Sequence, residues 1–216
     1  ILPGQIGYSP TRQQPNTDLA RAKQLLDEAG WKLSGQYRAK DGQRLELRLV
    51  TREGGEYAQA AKLIQKQWER LGVKTQLQLT EISELQQSYI RPRNYDVLLF
   101  GINIGADPDP YPFWHSSQGK DPGLNLSQYS SKTADLALES GRIVKDNALR
   151  AAKYQSFLST WIDDAPAVVL YGSYYLYGTN TDLLGVKADR LVSPSDRLYA
   201  TENWSLLTRP VPKLKK

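Results

Sequence analysis

Residues 44–79 read RLELRLVTREGGEYAQAAKLIQKQWERLGVKTQLQL, and two changes of hydrophobic period within them set the fold class. Leu45, Leu47 and Leu49 alternate with Glu46 and Arg48, the pattern of a strand with one buried face. From about Glu56 the spacing shifts to that of a helix. Tyr57, Ala60, Ala61, Ile64, Trp68 and Leu71 share one stripe, and Gly72 supplies the stop. Residues 73–79 then alternate again. Strand, helix, strand at this spacing is a βαβ unit, whose crossover is right-handed and whose strands lie parallel. The expectation is an α/β lobe of three layers with a mixed, mostly parallel sheet.

Upstream, residues 1–15 carry Pro3, Pro10 and Pro15 with Gly4 and Gly7 and read as an extended lead-in or hinge segment. A helix follows, capped by Asn16 or Thr17 with Asp18 in its first turn. Leu19, Ala22, Leu25, Leu26 and Ala29 repeat along it, Gly30 ends it, and Trp31 packs back onto it. Residues 36–40 and 44–51 flank Asp41-Gly42, the signature of a tight β-hairpin. Downstream, residues 81–90 suggest a short helix, 132–145 and 148–162 two longer ones, and 167–171 a second fully apolar strand. Beyond residue 185 the apolar pieces are short, and Trp204, Leu206 and Leu207 have no evident partner element.

Residues 95–114, YDVLLFGINIGADPDPYPFW, draw the functional reading. The run 95–101 suits a strand covered on both faces, and Gly101, Gly105, Pro108 and Pro110 stop it. Open α/β sheets bind ligands at the carboxyl ends of their strands, which is where Asn103, Asp107, Asp109, Tyr111, Trp114 and His115 are placed. Each also has a structural reading. Asp-Pro pairs build turns, and Asp109 is positioned to cap a helix starting near Pro110. Phe113 belongs in a core, while Tyr111 and Trp114 suit either stacking on a ligand or packing. His115, the single histidine, fits a loop brace, since a metal site there would need carboxylates for every other ligand. Asn125 and Tyr129 lie in a polar loop, where they either face a ligand or stabilise the loop. Tyr171, Tyr174, Tyr175 and Tyr177 read as a structural aromatic strand pair.

Composition removes several classes. The 216 residues contain neither Cys nor Met, which excludes disulfides, thiolate metal sites and a cysteine nucleophile. A chain opening on Ile1 without methionine reads as a processed product or an excised fragment. No run approaches the roughly 18 apolar residues of a membrane span. The net charge of +5 is spread along the helices apart from the tail 213–216, so the basic stripe with interleaved aromatics that nucleic-acid binding needs is missing. No cofactor motif is found.

Taken in order, DLARAKQLLDEAGW at 18–31, LELRLVT at 45–51, WERLGVK at 68–74, NYDVLLFG at 94–101, DPDP at 107–110, YSS at 129–131 and DDAPAVVLY at 163–171 resemble the C-terminal lobe of the peptide/nickel class, family 5, of ABC-transporter solute-binding proteins. The resemblance covers about residues 1–180. It implies a type II periplasmic-binding-protein-like lobe at 16–180, with a tail, 181–216, that returns to a separate N-terminal lobe. It further implies an extracytoplasmic, non-catalytic receptor, anchored to lipid in some envelopes, that holds an oligopeptide or other small solute between two lobes and presents it to a membrane permease. In peptide-binding members an acidic residue shortly before the Asp-Pro pairs with the ligand's amino terminus. Here that slot falls on Gly105 or Ala106, and Asp107 is the substitute.

Two other functions compete. A truncated lobe acting as a protein-interaction module would expose an apolar face, and a hydrolase would have to use His115 without a Gly-x-Ser-x-Gly elbow.

Overall fold

The computed structural model describes residues 1, 5–105, 107–172, 176–187 and 194–208. The βαβ unit forms where its periods place it, although its first strand is buried on both faces and not on the single face its alternation predicts. Strand β4 (Glu46–Arg52) runs parallel to β5 (Lys74–Thr80), from Glu46↔Lys74 to Arg52↔Thr80, and helix α2 (Gly55–Glu69) packs against both. β6 (Val97–Leu98) pairs parallel with the other side of β4, giving the order β5-β4-β6. Successive residues of a strand face opposite sides of its sheet, and Leu49 and Val50 are both fully buried, so β4 is covered on both faces. Val50 packs with Leu85, Ile90, Tyr89, Tyr95, Leu98 and Leu126.

Ahead of this unit, α1 (Leu19–Glu28) is capped by Asp18, which accepts from Arg21 N at 2.9 Å, in place of the expected Asn16 or Thr17. An aspartate carboxylate one residue later satisfies the same orphan N–H groups. Trp31 N donates to Leu26 O, closing the helix as expected. β1 (Lys32–Ser34), β2 (Tyr37–Lys40) and β3 (Gln43–Arg44) form a small antiparallel sheet of their own, with Asp41-Gly42 as the β2–β3 turn. Arg38, 4% exposed, ties this sheet down. It donates to Leu71 O, Trp31 O and Asp27 Oδ1, all within 2.7 Å. Gly72 (φ +80°) closes the junction, where a Cβ would meet Leu33 Cδ1 at 2.9 Å.

Three expectations change. Residues 81–90 form one short turn, α3 (Ile82–Glu84), that widens into a π-helical segment, Leu85–Ile90, with both of its end residues buried under β4. The strand expected over 95–101 is only two residues long, and Phe100 and Ile102 stand exposed beyond it. The run 167–171 forms no strand. Val168 is 70% exposed, and the Val169 backbone is held on both its polar groups by the Gln14 side-chain amide. A continuous apolar run specifies a strand only where a sheet edge is within reach, and here a side chain takes that place.

The second half is built from α4 (Tyr111–Trp114), α5 (Lys132–Ile143) and α6 (Asn147–Asp164). α5 and α6 form a hairpin whose core is Ala134, Ala137, Leu138, Phe157, Trp161 and Tyr129, with Tyr111 and Trp114 packed against it. Gly141 admits the Tyr154 ring, which a Cβ would meet at 2.4 Å. β7 (Leu183–Leu184) pairs antiparallel with β8 (Ser205–Leu206), so the segment around Trp204 has a partner in the chain after all. The partner is two residues long, too short to read from periodicity. Tyr171 and Tyr177 lie outside any strand, and Tyr174, Tyr175 and the basic tail fall outside the described residues.

Candidate functional site

The carboxyl ends of the three parallel strands meet at one edge. β4 ends on Arg52, and Thr51 Oγ1 donates to Leu99 O at 2.8 Å, fixing the exit of β6 beside it. Gly54 (φ +79°) and Gly55 (φ +54°) then turn the chain into α2, which places Tyr57 in that helix's first turn. The Arg52 guanidinium rests over the Tyr57 ring, 4.3 Å from its centroid, a cation–π contact. Tyr57 Oη lies over Gly101 so closely that a Cβ there would sit 2.5 Å away. Together these residues surround an open cavity of about 270 Å³, walled by Arg52, Glu56, Tyr57, Leu99, Phe100 and Gly101. A cation, a carboxylate, a phenol and bare apolar carbon in one concavity suit a solute with both polar and apolar groups. Partial desolvation, with Glu56 and Tyr57 nearby, pushes the Tyr171 phenol up. Glu53, hydrogen-bonded to Glu81 and repelled by its charge, also titrates above the ordinary carboxylate range.

The loop leaving this edge carries most of the residues singled out from sequence. Asn103 is exposed and accepts from Gly105 N at 2.9 Å, and the Gly105 carbonyl accepts from Gln5 Nε2 at 2.6 Å. Ala106 lies outside the described residues. Asp107 is exposed and ion-paired with Arg150 at 2.8 Å. Asp109 accepts from Tyr111 N at 3.3 Å, the turn-building role expected of it, and pairs with Arg142 at 3.2 Å.

Beyond the loop the aromatic residues turn inward. Trp114 meets Trp161 edge-on at 5.1 Å, and Tyr111 is sandwiched between the Arg142 guanidinium at 4.4 Å and the His115 ring at 4.1 Å. His115 is 7% exposed. Its Nδ1 accepts from Ser117 N at 3.1 Å, which assigns the neutral ring's proton to Nε2, facing Glu139 at 3.2 Å and Asp135 at 3.8 Å. Ser117 Oγ lies 2.8 Å from the same Nδ1, so serine, histidine and glutamate stand in a row. The row is a local brace, since the serine backbone and hydroxyl both converge on the nitrogen that caps their own turn.

Asn125 and Tyr129 also take the structural role. Asn125 is fully buried, its amide donating to His115 O and Tyr129 O and accepting from Tyr129 N and Ser127 Oγ. Tyr129, 8% exposed, donates to Asp164 at 2.5 Å, and burial together with that carboxylate pushes its phenol up to about 12. Of the positions chosen from sequence, Asn103, Gly105, Asp107 and Asp109 therefore stay on the loop itself and none of them lines the cavity, whereas Trp114, His115, Asn125 and Tyr129 brace the loop from beneath.

The chain has known relatives. The family model for bacterial extracellular solute-binding proteins, family 5 Middle, matches residues 1–125, more than half of the chain. The chain belongs to this family. Among curated relatives of this family 5 protein, the oligopeptide-binding protein AppA of Bacillus subtilis is 30% identical over 190 residues, spanning 86% of this chain and 34% of AppA. The solved structure of AppA in complex with a nonapeptide superposes with a TM-score of 0.75 at 27% identity, covering 96% of this chain and 41% of that one. The Campylobacter jejuni NikZ structure with Ni(L-His) gives a TM-score of 0.68 at 23% identity over 87% of this chain and 39% of NikZ, a likeness of fold alone. The chain thus spans about a third or less of the length of the curated relatives it matches, and its fold is type II periplasmic-binding-protein-like.

Arg52, Tyr57 and Gly101 carry no site signal of their own in the sequence, where Tyr57 reads as part of the helix stripe and Gly101 as a strand stop. The usable signal was the pair Gly54-Gly55 between a strand and a helix, which marks the same carboxyl edge as the later loop.

Proposed function

We propose that this chain is the ligand-binding lobe of a solute receptor serving an ABC importer, acting outside the cytoplasm and without catalysis, and that its preferred solutes are oligopeptides. The observation that carries the reading is the half-open cavity at the carboxyl edge of a family 5 sheet, with exposed apolar carbon from Phe100 and Ile82 beside Arg52 and Tyr57. The similarity to AppA, whose name and complex are those of a peptide binder, supports peptides as the ligand class. A second lobe, encoded elsewhere in the parent protein, supplies the opposite wall, and residues 181–216 return toward it. Closure of the two lobes hands the loaded receptor to the membrane permease. Asn103 and Gly105 stand on the rim, and Arg52, Tyr57 and Gly101 form this lobe's wall.

Calorimetric titration of the two-lobed parent with peptide mixtures of graded length tests the reading. Saturable binding of peptides of several residues is expected, and no heat across a broad library would sink it.

The exposed run Val168, Val169, Leu170 and Tyr171 favours one other reading, a lobe that docks on a partner protein through this face. Sedimentation of the parent separates the two. A monomeric parent with the run covered supports the receptor, and self-association through it supports the module.

A further inference from the structure

A second cavity, of about 240 Å³, opens where the small antiparallel sheet meets the end of α2. Lys23, Leu33, Arg38, Glu69, Arg70 and Leu71 stand on its wall. It lies at the amino end of the parallel sheet, since β5 starts at Lys74 just past this wall and runs seven residues toward the ligand edge. About 20 Å of strand therefore separates the two cavities.

Arg38 is 4% exposed, and two of its three side-chain nitrogens are committed to the protein. Nε donates to Leu71 O at 2.7 Å, and Nη1 donates to Trp31 O at 2.6 Å and to Asp27 Oδ1 at 2.7 Å. The backbone is pinned as well, with Arg38 N donating to Gly72 O at 2.7 Å. Nη2 donates to nothing among the described residues. The orphaned polar side-chain atoms sealed from solvent among those residues are Arg48 Nε, Thr75 Oγ1, Trp161 Nε1 and Trp204 Nε1, and Nη2 is not one of them. An unpartnered and unsealed nitrogen on a side chain that walls a cavity is a donor open to that cavity. The other bonds hold the guanidinium fork in place, so little freedom is left to lose on binding.

The charges around it are uneven. Lys23 and Arg70 are exposed and make no ion pair or hydrogen bond among the described residues, and Glu69 is out of ion-pair reach of both. Asp27 meets Arg38 from outside the cavity wall, and its carboxyl is held below the ordinary range by the Arg38 hydrogen bond and then by the charges of Arg38 and Lys32. Four cations, Lys23, Lys32, Arg38 and Arg70, thus face two carboxylates. A group with several acceptor oxygens and more than one negative charge can meet Nη2, Lys23 and Arg70 together, which a single carboxylate does less well. Leu33, 63% exposed, offers apolar carbon beside them.

We propose that this cavity is a second binding site that takes the phosphate group of a phosphate monoester. Arg38 Nη2, Lys23 and Arg70 are its donors, and Leu33 lies against the ester carbon. The site is separate from the peptide edge and does not depend on the receptor reading.

The test is the melting temperature of the two-lobed parent in rising glycerol 3-phosphate, against sodium chloride at matched ionic strength. A saturable rise of a few degrees is expected, as mass action requires of a ligand that binds only the folded state. Lys23→Gln combined with Arg70→Gln should raise the half-saturating concentration by about tenfold or more. Neither side chain has a partner in the fold, so the melting temperature of this double variant in chloride should stay within a few degrees of wild type. Lys23→Arg combined with Arg70→Lys, which keeps both charges, should remain within about threefold of wild type. Vesicles of phosphatidylcholine carrying phosphatidic acid separate the two sources of such a group. Co-sedimentation that the Gln double variant abolishes assigns the site to a lipid headgroup, and a glycerol 3-phosphate response without co-sedimentation assigns it to a soluble ester. No rise beyond the chloride reference together with no vesicle binding overturns the proposal, as does a response that the Gln double variant leaves unchanged.

Discussion

Asn125 is one short side chain that serves four hydrogen bonds with no exposed surface, and through them it fixes the turn between the aromatic loop and α5. Truncating it leaves buried donors and acceptors without partners, each costing on the order of 1–3 kcal/mol. Asn125→Ala should therefore lower the unfolding free energy by about 2–4 kcal/mol, as read by urea denaturation, with the slope of the transition unchanged. Tyr129 offers a pH readout beside it. A phenol pushed up to about 12 from 10.0 favours the neutral form in the fold, so its contribution is complete below pH 10.0 and is lost as pH rises through about 12. Ultraviolet titration should show one late phenol that is absent from Tyr129→Phe, and that variant should unfold less steeply in alkali. An alkaline profile identical to wild type would contradict the assignment.

Among the elements, those written in long periods were legible in the sequence: α1, α2, α5, α6 and the β4–β5 pair stand where their patterns put them, and Asp41-Gly42 turns as expected, but the hairpin's second strand is only Gln43–Arg44, since Glu46–Arg52 crosses into the parallel sheet. The failures have a common cause, which is that the deciding partner lies far away in the chain. The two residues of β6 pair with β4 only as far as the Leu99 carbonyl, which the Thr51 hydroxyl takes up. The run at 167–171 meets Gln14, 155 positions away, instead of a strand. At the site, an aspartate read from sequence shows its own charge but not the arginine two helices later that neutralises it, and Asn125 gives no sign of burial because loop asparagines are usually exposed. Gly101 is the element-scale test of the edge. A methyl group there must displace Tyr57, and with it the Arg52 guanidinium, while the sheet below is untouched. Gly101→Ala in the two-lobed parent should weaken ligand binding by about tenfold or more while the melting temperature shifts by no more than a few degrees. Unchanged affinity would remove this wall from the site.

For the whole molecule, the open cavity is one wall. A bound solute normally has most of its surface covered, and the edge described here covers one side only. The 216-residue chain alone should bind peptide on the order of a hundredfold more weakly than the two-lobed parent, measured side by side by calorimetry. Equal affinity would place the complete site within this lobe. Acid should weaken the tie between α1 and the small β1–β2–β3 sheet. Hydrogen bonding to Arg38 holds Asp27 below its usual 3.8, so that tie contributes at pH values above 3.8 and fades as pH falls through the lower, folded value. Asp27→Asn, which lacks the tie at every pH, should therefore be less stable than wild type at neutral pH, and the gap should close as pH falls below 3.8, read by urea denaturation across pH.

The turn held by Asn125 has a mechanical consequence. Leu126 packs with Val50 and Leu85 under the sheet, and its carbonyl accepts from Tyr95 Oη, while Tyr129, three positions on, is buried in the α5–α6 hairpin. A single turn of chain is thus a member of both hydrophobic clusters at once. Neither cluster can open without pulling on the rivet they share, so sheet and hairpin melt as one cooperative unit, and a load taken up at the ligand edge is passed to the helices as a push on a rigid body.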